Sequence, residues 1–175
     1  LGFDVARMNS YEVRGLRVSS SAVREALARG AMDEVAQLLG RPYAISGHVV
    51  HGRKLGRELQ CPTLNLRFDH WKPAANGIFV VRVHGLQETS LPGVANLGIR
   101  PSLDPNDING GRVLLETHCL DWPASLGAEG GYSKIIRVEL LHKLHDELAY
   151  DGMDALKQGI HKDCEDARTW FAAHT

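Results

Sequence analysis

The central part of the chain alternates short apolar or β-branched runs with turn-forming residues. Six runs bounded by Gly, Pro, Asn or Asp predict strands: Ala44–His51, Thr63–Phe68, Gly77–Leu86, Gly93–Gly98, Arg112–Leu120 and Lys134–Leu144. In the third run, Phe79, Val81 and Val83 lie on one face, because successive side chains of a strand alternate. Since no long helical pattern separates the runs, they predict a mainly β fold, an antiparallel barrel that is closed or nearly closed.

Helical patterns flank this β-rich region. A serine cluster precedes Ala22–Arg29, which Gly30 follows, and a second short helix is predicted over Met32–Leu39. A third helix is predicted to begin at Asp151 or Gly152. Its apolar positions recur at helical spacing: Met153, Leu156, Ile160, Ala167 and Phe171. This apolar face predicts that the C-terminal helix packs on the barrel.

Composition narrows the classes of function. The 175 residues are 43% hydrophobic and 23% charged with a net charge of −1, as in an ordinary globular protein. A nucleic-acid-binding barrel would show a basic groove with exposed aromatic residues, whereas aromatic residues make up only 6% of the chain. Cys61, Cys119 and Cys164 are widely spaced, which suggests reduced thiols in the cytoplasm. No apolar run approaches the roughly 18 residues of a membrane helix. We therefore expect a cytoplasmic protein without nucleic-acid or membrane partners.

A glycine-rich, basic loop follows the first predicted strand. Gly52 and Gly56 would let the backbone approach a ligand, and Arg57 with its basic neighbours would attract phosphate, although the loop fits neither of the common nucleotide-binding glycine motifs. Thr63 and Asn65 then lie on one face of a strand, where hard oxygen ligands suit Mg²⁺. The pattern alone indicates either a phosphate and metal site or an ordinary basic turn.

The fifth predicted strand carries a carboxylate between leucines. Glu116 and His118 share a face with Leu114 and Leu120. A charge in such surroundings costs free energy unless it is paired or hydrated. Glu116 therefore indicates either a functional site or an edge strand that faces solvent, and His118 either contacts a nucleotide or packs.

Two histidines lie close together near the end of the sixth predicted strand. His142 and His145 are expected to point to opposite faces because they are three residues apart. No acidic or cysteine partner lies at ligand spacing, so the pair gives little support to a transition-metal site.

Four segments, in order, resemble the motifs of riboflavin kinases. Gly47–Asn65 resembles G-x-V-x-x-G-x-x-x-G-R-x-L-x-x-P-T-x-N, with Gln60 at a position where glycine is usual. Pro92–Pro101 resembles G-V-A-N-x-G-x-R-P, and Leu115–Asp121 resembles L-E-x-H-x-x-D. Lys143–Tyr150 resembles K-I-R-x-E-x-K-F, but three positions differ: His145, Ala149 and Tyr150 replace arginine, lysine and phenylalanine. The loss of fixed positive charge makes flavin affinity the property most affected.

The resemblance implies a six-stranded, Greek-key-like barrel that transfers the γ-phosphate of ATP to riboflavin with Mg²⁺. It implies that Glu116 is the general base and that Thr63 and Asn65 bind the metal. The residues implied for ATP are Gly52, Gly56, Arg57 and His118. The residues implied for the flavin are Arg100, His145, Glu147 and Tyr150. The alternative is a catalytically silent, flavin-binding regulatory barrel, which would be expected to lack Thr63, Asn65 or Glu116.

The N-terminal segment has a resemblance of its own. Val18–Arg24 is similar to the I/V-S-S-T-x-[IV]-R element of bacterial FAD synthetases, although a simple helix cap also explains its serines. Residues 1–42 are therefore expected to be the C-terminal remnant of an FMN adenylyltransferase domain, and residues 43–175 the riboflavin kinase domain. The complete protein would also adenylylate FMN to FAD, whereas this chain would not.

Overall fold

The computed structural model describes residues 10–50, 63–67, 73–99, 113–127 and 129–174. Its strands are β1 (Glu12–Val13), β2 (Leu16–Arg17), β3 (Tyr43–Val50), β4 (Thr63–Arg67), β5 (Gly77–His84), β6 (Leu91–Ile99), β7 (Val113–Cys119) and β8 (Ile135–His145). Its α-helices are α1 (Ser20–Arg29), α2 (Met32–Leu39) and α3 (Met153–Ala173), with a short 3-10 helix at Ala124–Leu126. No helix among these residues is long and apolar enough to cross a membrane.

The two N-terminal helices follow from local capping. The side chain of Ser19 accepts a hydrogen bond from the backbone N–H of Ala22 at 3.1 Å, which caps α1. Gly30 ends α1 at φ 71°, a left-handed conformation that costs glycine little because it has no Cβ. α1 packs on α2, and α2 contacts β3 and β8, so the helical pair packs against the barrel through α2.

The six predicted strands form one closed antiparallel barrel in the order β3-β4-β7-β6-β5-β8. The prediction of a barrel is therefore confirmed. β6 begins at Leu91, two residues earlier than predicted, because Leu91 and Pro92 pair with Val83 and Arg82 of β5. The closed order places β7 between β4 and β6, so residues far apart in the sequence become cross-strand neighbours.

The barrel interior forms the main hydrophobic core. Phe79, Val81 and Val83 of β5 are fully buried there, as their alternation predicts. The opposite face of β5 is also buried, because Ile78 and Val80 pack with Ala167 of α3 in a second apolar cluster. The predicted role of the C-terminal helix is thus confirmed, and it covers the outer surface of β5 and β6.

The expectation that His142 and His145 face opposite sides is wrong. The pairing of β5 with β8 shifts register twice, so His142 lies opposite Val80 and His145 lies opposite Ile78. Both histidines consequently face α3. His142 stacks on Trp170 with ring centroids 6.0 Å apart, and His145 pairs with Asp163. An irregularity in the ladder cancels the simple alternation of a strand.

Candidate active site

The predicted metal and base residues meet on the outer face of the barrel. In the strand pairing, Glu116 of β7 lies opposite Asn65 of β4 on one side and opposite Asn96 of β6 on the other. One step along, Thr63 lies opposite His118. Side chains in such positions are close neighbours, with Cβ atoms about 5 Å apart. The structure therefore brings Thr63, Asn65, Glu116 and His118 together on neighbouring strands.

A cavity of about 430 Å³ lies between this face, the segment that follows β8, and α3. The polar residues that the barrel strands contribute to its lining are Thr63, Asn96, Glu116 and His118. Its remaining wall includes apolar side chains, Ile78, Val94, Leu156 and Ile160, together with Glu147 and Tyr150. Glu116 consequently faces a covered cavity, and the alternative of a bare, solvent-facing edge strand is wrong.

Two buried amide oxygens in this row of cross-strand neighbours have no hydrogen-bond partner among the described residues. Asn65 is 4% exposed, and neither its Oδ1 atom nor that of Asn96 accepts a hydrogen bond from the part of the chain that the structure describes. An unsatisfied buried carbonyl costs about 1–3 kcal/mol, so proteins rarely retain one without a use for it. The orphaned Asn65 oxygen beside the Thr63 hydroxyl is a hard-oxygen donor set that fits Mg²⁺.

His118 lies on this face as an uncharged ring. Burial lowers the pKa of His118 to about 4, because a charged imidazolium is poorly solvated there. Its Nδ1 atom lies 3.4 Å from the hydroxyl of Thr63, with donor and acceptor roles that depend on the tautomer. At neutral pH, His118 can therefore offer a hydrogen bond to a ligand or to Thr63 but brings no positive charge to a phosphate.

Two glycines position the side chains of the opposite wall. A Cβ at Gly98 of β6 would overlap the carboxylate of Glu147, so that carboxylate lies directly against the strand. A Cβ at Gly159 of α3 would lie closer than 3.0 Å to the ring of Tyr150, so the ring packs on the helix backbone. These close approaches hold Glu147 and Tyr150 at the cavity, where the sequence resemblance implies flavin contacts.

His145 occupies a different place from the other flavin candidates. It is not among the residues that line the cavity, and its Nε2 atom lies 2.8 Å from Oδ1 of Asp163, which does line it. Asp163 was missed by the sequence reasoning, as was Asn96. A signal existed for Asp163, since it lies three residues after Ile160 and four before Ala167 and therefore falls on the apolar face of α3.

The remaining site candidates cannot be located. Gly52, Gly56, Arg57 and Arg100 lie outside the described residues. Their roles in phosphate and flavin binding stay predictions.

Comparison with known proteins identifies the family of this chain. The family model "Flavokinase: Riboflavin kinase" matches residues 39–171, a range that includes every described residue lining the cavity. The chain belongs to the riboflavin kinase family. It is 38% identical over 170 residues to a bifunctional riboflavin kinase/FMN adenylyltransferase of Haemophilus influenzae, covering 97% of this chain and 52% of that protein. It is 40% identical over 170 residues to the protein of the same name from Escherichia coli K12, covering 97% and 51%.

A solved structure shares the fold of this family member. It is a Streptococcus pneumoniae protein described as a macrolide-efflux protein, with a TM-score of 0.74 and 28% identity over 92% of this chain and 50% of that chain. The description belongs to that protein. The chain spans about half the length of the curated relatives it matches.

Proposed function

We propose that this chain transfers the γ-phosphoryl group of ATP to the ribityl 5′-hydroxyl of riboflavin and releases FMN and ADP. The observation that carries the proposal is that one cavity is lined both by Thr63, Glu116 and His118 and by several apolar side chains. Phosphoryl transfer depends mainly on positioning and on electrostatic stabilisation. A cavity that combines polar groups with apolar walls can hold the reacting hydroxyl and the flavin ring at once.

Glu116 is the proposed general base. Its carboxylate would accept the hydroxyl proton as the oxygen attacks the γ-phosphorus, the role that a positioned carboxylate fills in such reactions. Asn65 and Asn96 flank it across the strands. Their amide dipoles would orient the carboxylate or the hydroxyl, which supports a precise geometry around Glu116.

Thr63 and Asn65 are the proposed Mg²⁺ ligands. The buried Oδ1 atom of Asn65, which has no hydrogen-bond partner within the described part of the chain, supports this assignment because a cation would satisfy it. When bound, Mg²⁺ would neutralise charge on the ATP phosphates. Gly52, Gly56 and Arg57 are proposed to contact the phosphates, and His118 to contact the nucleotide, on the strength of family membership.

The apolar side chains that line the cavity suit the isoalloxazine ring. Ile78, Val94, Leu156 and Ile160 offer apolar contact, and Tyr150 offers an aromatic face. Glu147 can accept a hydrogen bond from the flavin, and Arg100 is proposed as a further contact by family membership. Retention of Thr63, Asn65 and Glu116 disfavours a catalytically silent barrel.

The complete protein is proposed to be bifunctional and cytoplasmic. Residues 1–42 are interpreted as the end of an FMN adenylyltransferase domain and residues 43–175 as the kinase domain. The support is that the matched relatives are about twice as long and carry both activities in their names. This chain alone is not expected to adenylylate FMN.

The proposal is tested by following FMN formation from riboflavin, ATP and Mg²⁺ with the parent chain and Glu116→Gln. We expect activity in the parent and a loss of about 10²-fold or more in the variant. Glu88→Gln is the matched control, because Glu88 is exposed in the turn between β5 and β6. An inactive parent that still binds riboflavin would favour the silent barrel, and a fully active Glu116→Gln would remove Glu116 from the mechanism.

A further inference from the structure

Asp163 is a buried carboxylate in the wall of the cavity. It lies in the middle of α3, is 7% exposed, and has apolar neighbours on the same helix face, Ile160 and Ala167. Burial of a charged carboxylate is costly unless the charge is paired and hydrogen-bonded. The position therefore calls for an explanation beyond packing of the helix.

His145 is the partner of Asp163 and does not itself line the cavity. Its Nε2 atom lies 2.8 Å from Asp163 Oδ1, and its Nδ1 atom lies 2.6 Å from the backbone oxygen of Asp146. Both ring nitrogens thus face acceptors, and only the imidazolium form donates from both. Burial tends to lower the pKa of His145, but the hydrogen bonds to Asp163 and Asp146 prevail and raise it. The pair holds one carboxylate oxygen of Asp163.

The second oxygen of Asp163 remains available to a ligand. Within the described chain, Asp163 makes its recorded hydrogen bond to His145 alone, through Oδ1. Asp163 lines the cavity and His145 does not. A ligand in this cavity therefore meets a carboxylate that is oriented and charge-balanced from the protein side, which is the arrangement of a preorganised acceptor.

We propose that Asp163 is a riboflavin-binding residue and that His145 is its positioning partner. The free carboxylate oxygen accepts a hydrogen bond from the flavin, whose only donors are the imide N3–H and the ribityl hydroxyls. This inference rests on the proposed function. It gives His145 an indirect role, in place of the direct flavin contact that the sequence resemblance implies.

The charges around His145 define how the pair responds to pH. Asp163 and Asp166 face it from α3, and Asp146 faces it from its own segment. Lys143 pairs with Asp146 and Lys162 pairs with Asp166, so Asp163 is left as the carboxylate that depends on His145. When His145 loses its proton, only one ring nitrogen can still donate, so Asp163 Oδ1 and the Asp146 carbonyl compete for that hydrogen and Asp163 loses the positive charge that balances it. The orientation of Asp163 is thus present at low pH and lost as pH rises through the folded-state pKa.

The test measures flavin binding by fluorescence quenching, without ATP or metal. The ligands are riboflavin, 3-methylriboflavin, which lacks the N3–H, and lumiflavin, which lacks the ribityl chain. Asp163→Asn should bind riboflavin roughly ten- to hundredfold more weakly than the parent, since a hydrogen bond to a charged group is lost. Glu165→Gln is the control, because Glu165 is an exposed carboxylate on the same helix that neither lines the cavity nor belongs to the charges acting on His145.

The analogues identify the donor. If the variant's loss disappears with 3-methylriboflavin, the N3–H is the partner of Asp163; if it disappears with lumiflavin, a ribityl hydroxyl is. Equal affinity of the parent and Asp163→Asn for riboflavin would overturn the inference. Were that parent still to phosphorylate riboflavin, the proposed function would stand, whereas a parent that binds no flavin at all would remove both.

The positioning role of His145 has its own readout. Riboflavin affinity of the parent should fall as pH rises through the pKa of His145, while His145→Arg, with a fixed charge, should keep its affinity over the same range. His145→Gln should bind weakly at every pH. Identical pH profiles for the parent and His145→Arg would overturn this role, and thermal unfolding of each variant separates lost binding from lost folding.

Discussion

Replacement of Gly159 by alanine should stabilise α3 and weaken flavin binding at the same time. Gly159 is an interior residue of the 21-residue helix, where glycine costs about 0.5–1 kcal/mol relative to alanine. A Cβ at this position, however, would lie closer than 3.0 Å to the ring of Tyr150. Because such a separation is sterically forbidden, Tyr150 must rotate away from the helix and leave its place at the cavity.

The two effects have separate magnitudes. If the Tyr150 ring can move into solvent, the helix gains most of the ~0.5–1 kcal/mol from the alanine. The flavin loses an aromatic contact of ~0.5–1.5 kcal/mol, which corresponds to roughly a two- to twelvefold weaker Kd. Tyr150→Ala should weaken binding by a similar factor without the helix gain.

Thermal unfolding and riboflavin fluorescence titration check the two effects independently. Gln158→Ala is the matched control, because the adjacent side chain is exposed and a substitution there leaves Tyr150 in place. A Gly159→Ala variant that unfolds at a higher temperature and binds riboflavin as tightly as the parent would refute the reasoning. It would mean that the packing of Tyr150 on Gly159 does not contribute to the flavin site.

Three further predictions concern the metal, the core and protonation. Asn65→Ala should raise the Mg²⁺ concentration for half-maximal FMN formation on the order of tenfold. It should change the free energy of unfolding by less than about 1 kcal/mol, because it removes an oxygen that accepts no hydrogen bond from the described residues. A large loss of stability would contradict this. Phe79→Ala should cost about 3–5 kcal/mol in urea unfolding, since Phe79 is fully buried in the barrel, whereas exposed Gln87→Ala should cost almost nothing. The pKa of His118 falls from 6.5 to about 4 on folding because the ring is buried, so the unfolded state binds the proton first and stability should decline as pH drops through that range; a His118→Asn variant should lack this part of the decline.

Sequence periodicity correctly identified buried positions on a strand face that packs in the barrel interior. It was less reliable where a helix also covers the opposite face or where strand pairing is irregular. It identified the inward face of β5 through Phe79, Val81 and Val83, but Ile78 and Val80 are buried as well because α3 covers them. It also failed at His142 and His145, since irregular pairing with β5 places both on the same side. Alternation describes an isolated regular strand, and neither bulges nor overlying helices can be read from it.

The candidate site likewise combines residues that the sequence indicates with residues whose contacts only the tertiary structure reveals. Motif resemblance named Thr63, Asn65 and Glu116, and the structure brings them together. The spacing of Asp163 puts it on the apolar face of α3, but spacing alone does not show which partner or cavity a carboxylate meets there. Its importance follows only from two contacts, with the cavity on one side and with His145 on the other.

By itself, the sequence determined the features that depend on near neighbours along the chain. Strand-forming runs, the Ser19 cap, the Gly30 terminus and the apolar stripe of the last helix all follow from local hydrogen bonding and side-chain periodicity. Tertiary structure alone decided that β7 lies between β4 and β6, and so aligned Asn65, Glu116 and Asn96. It also placed α3 over this outer face of the barrel, so that the face and the helix together enclose a cavity. The physical reason is that closure and helix docking depend on partners distant in the chain, whose pairing is fixed by the energy of the whole packed molecule.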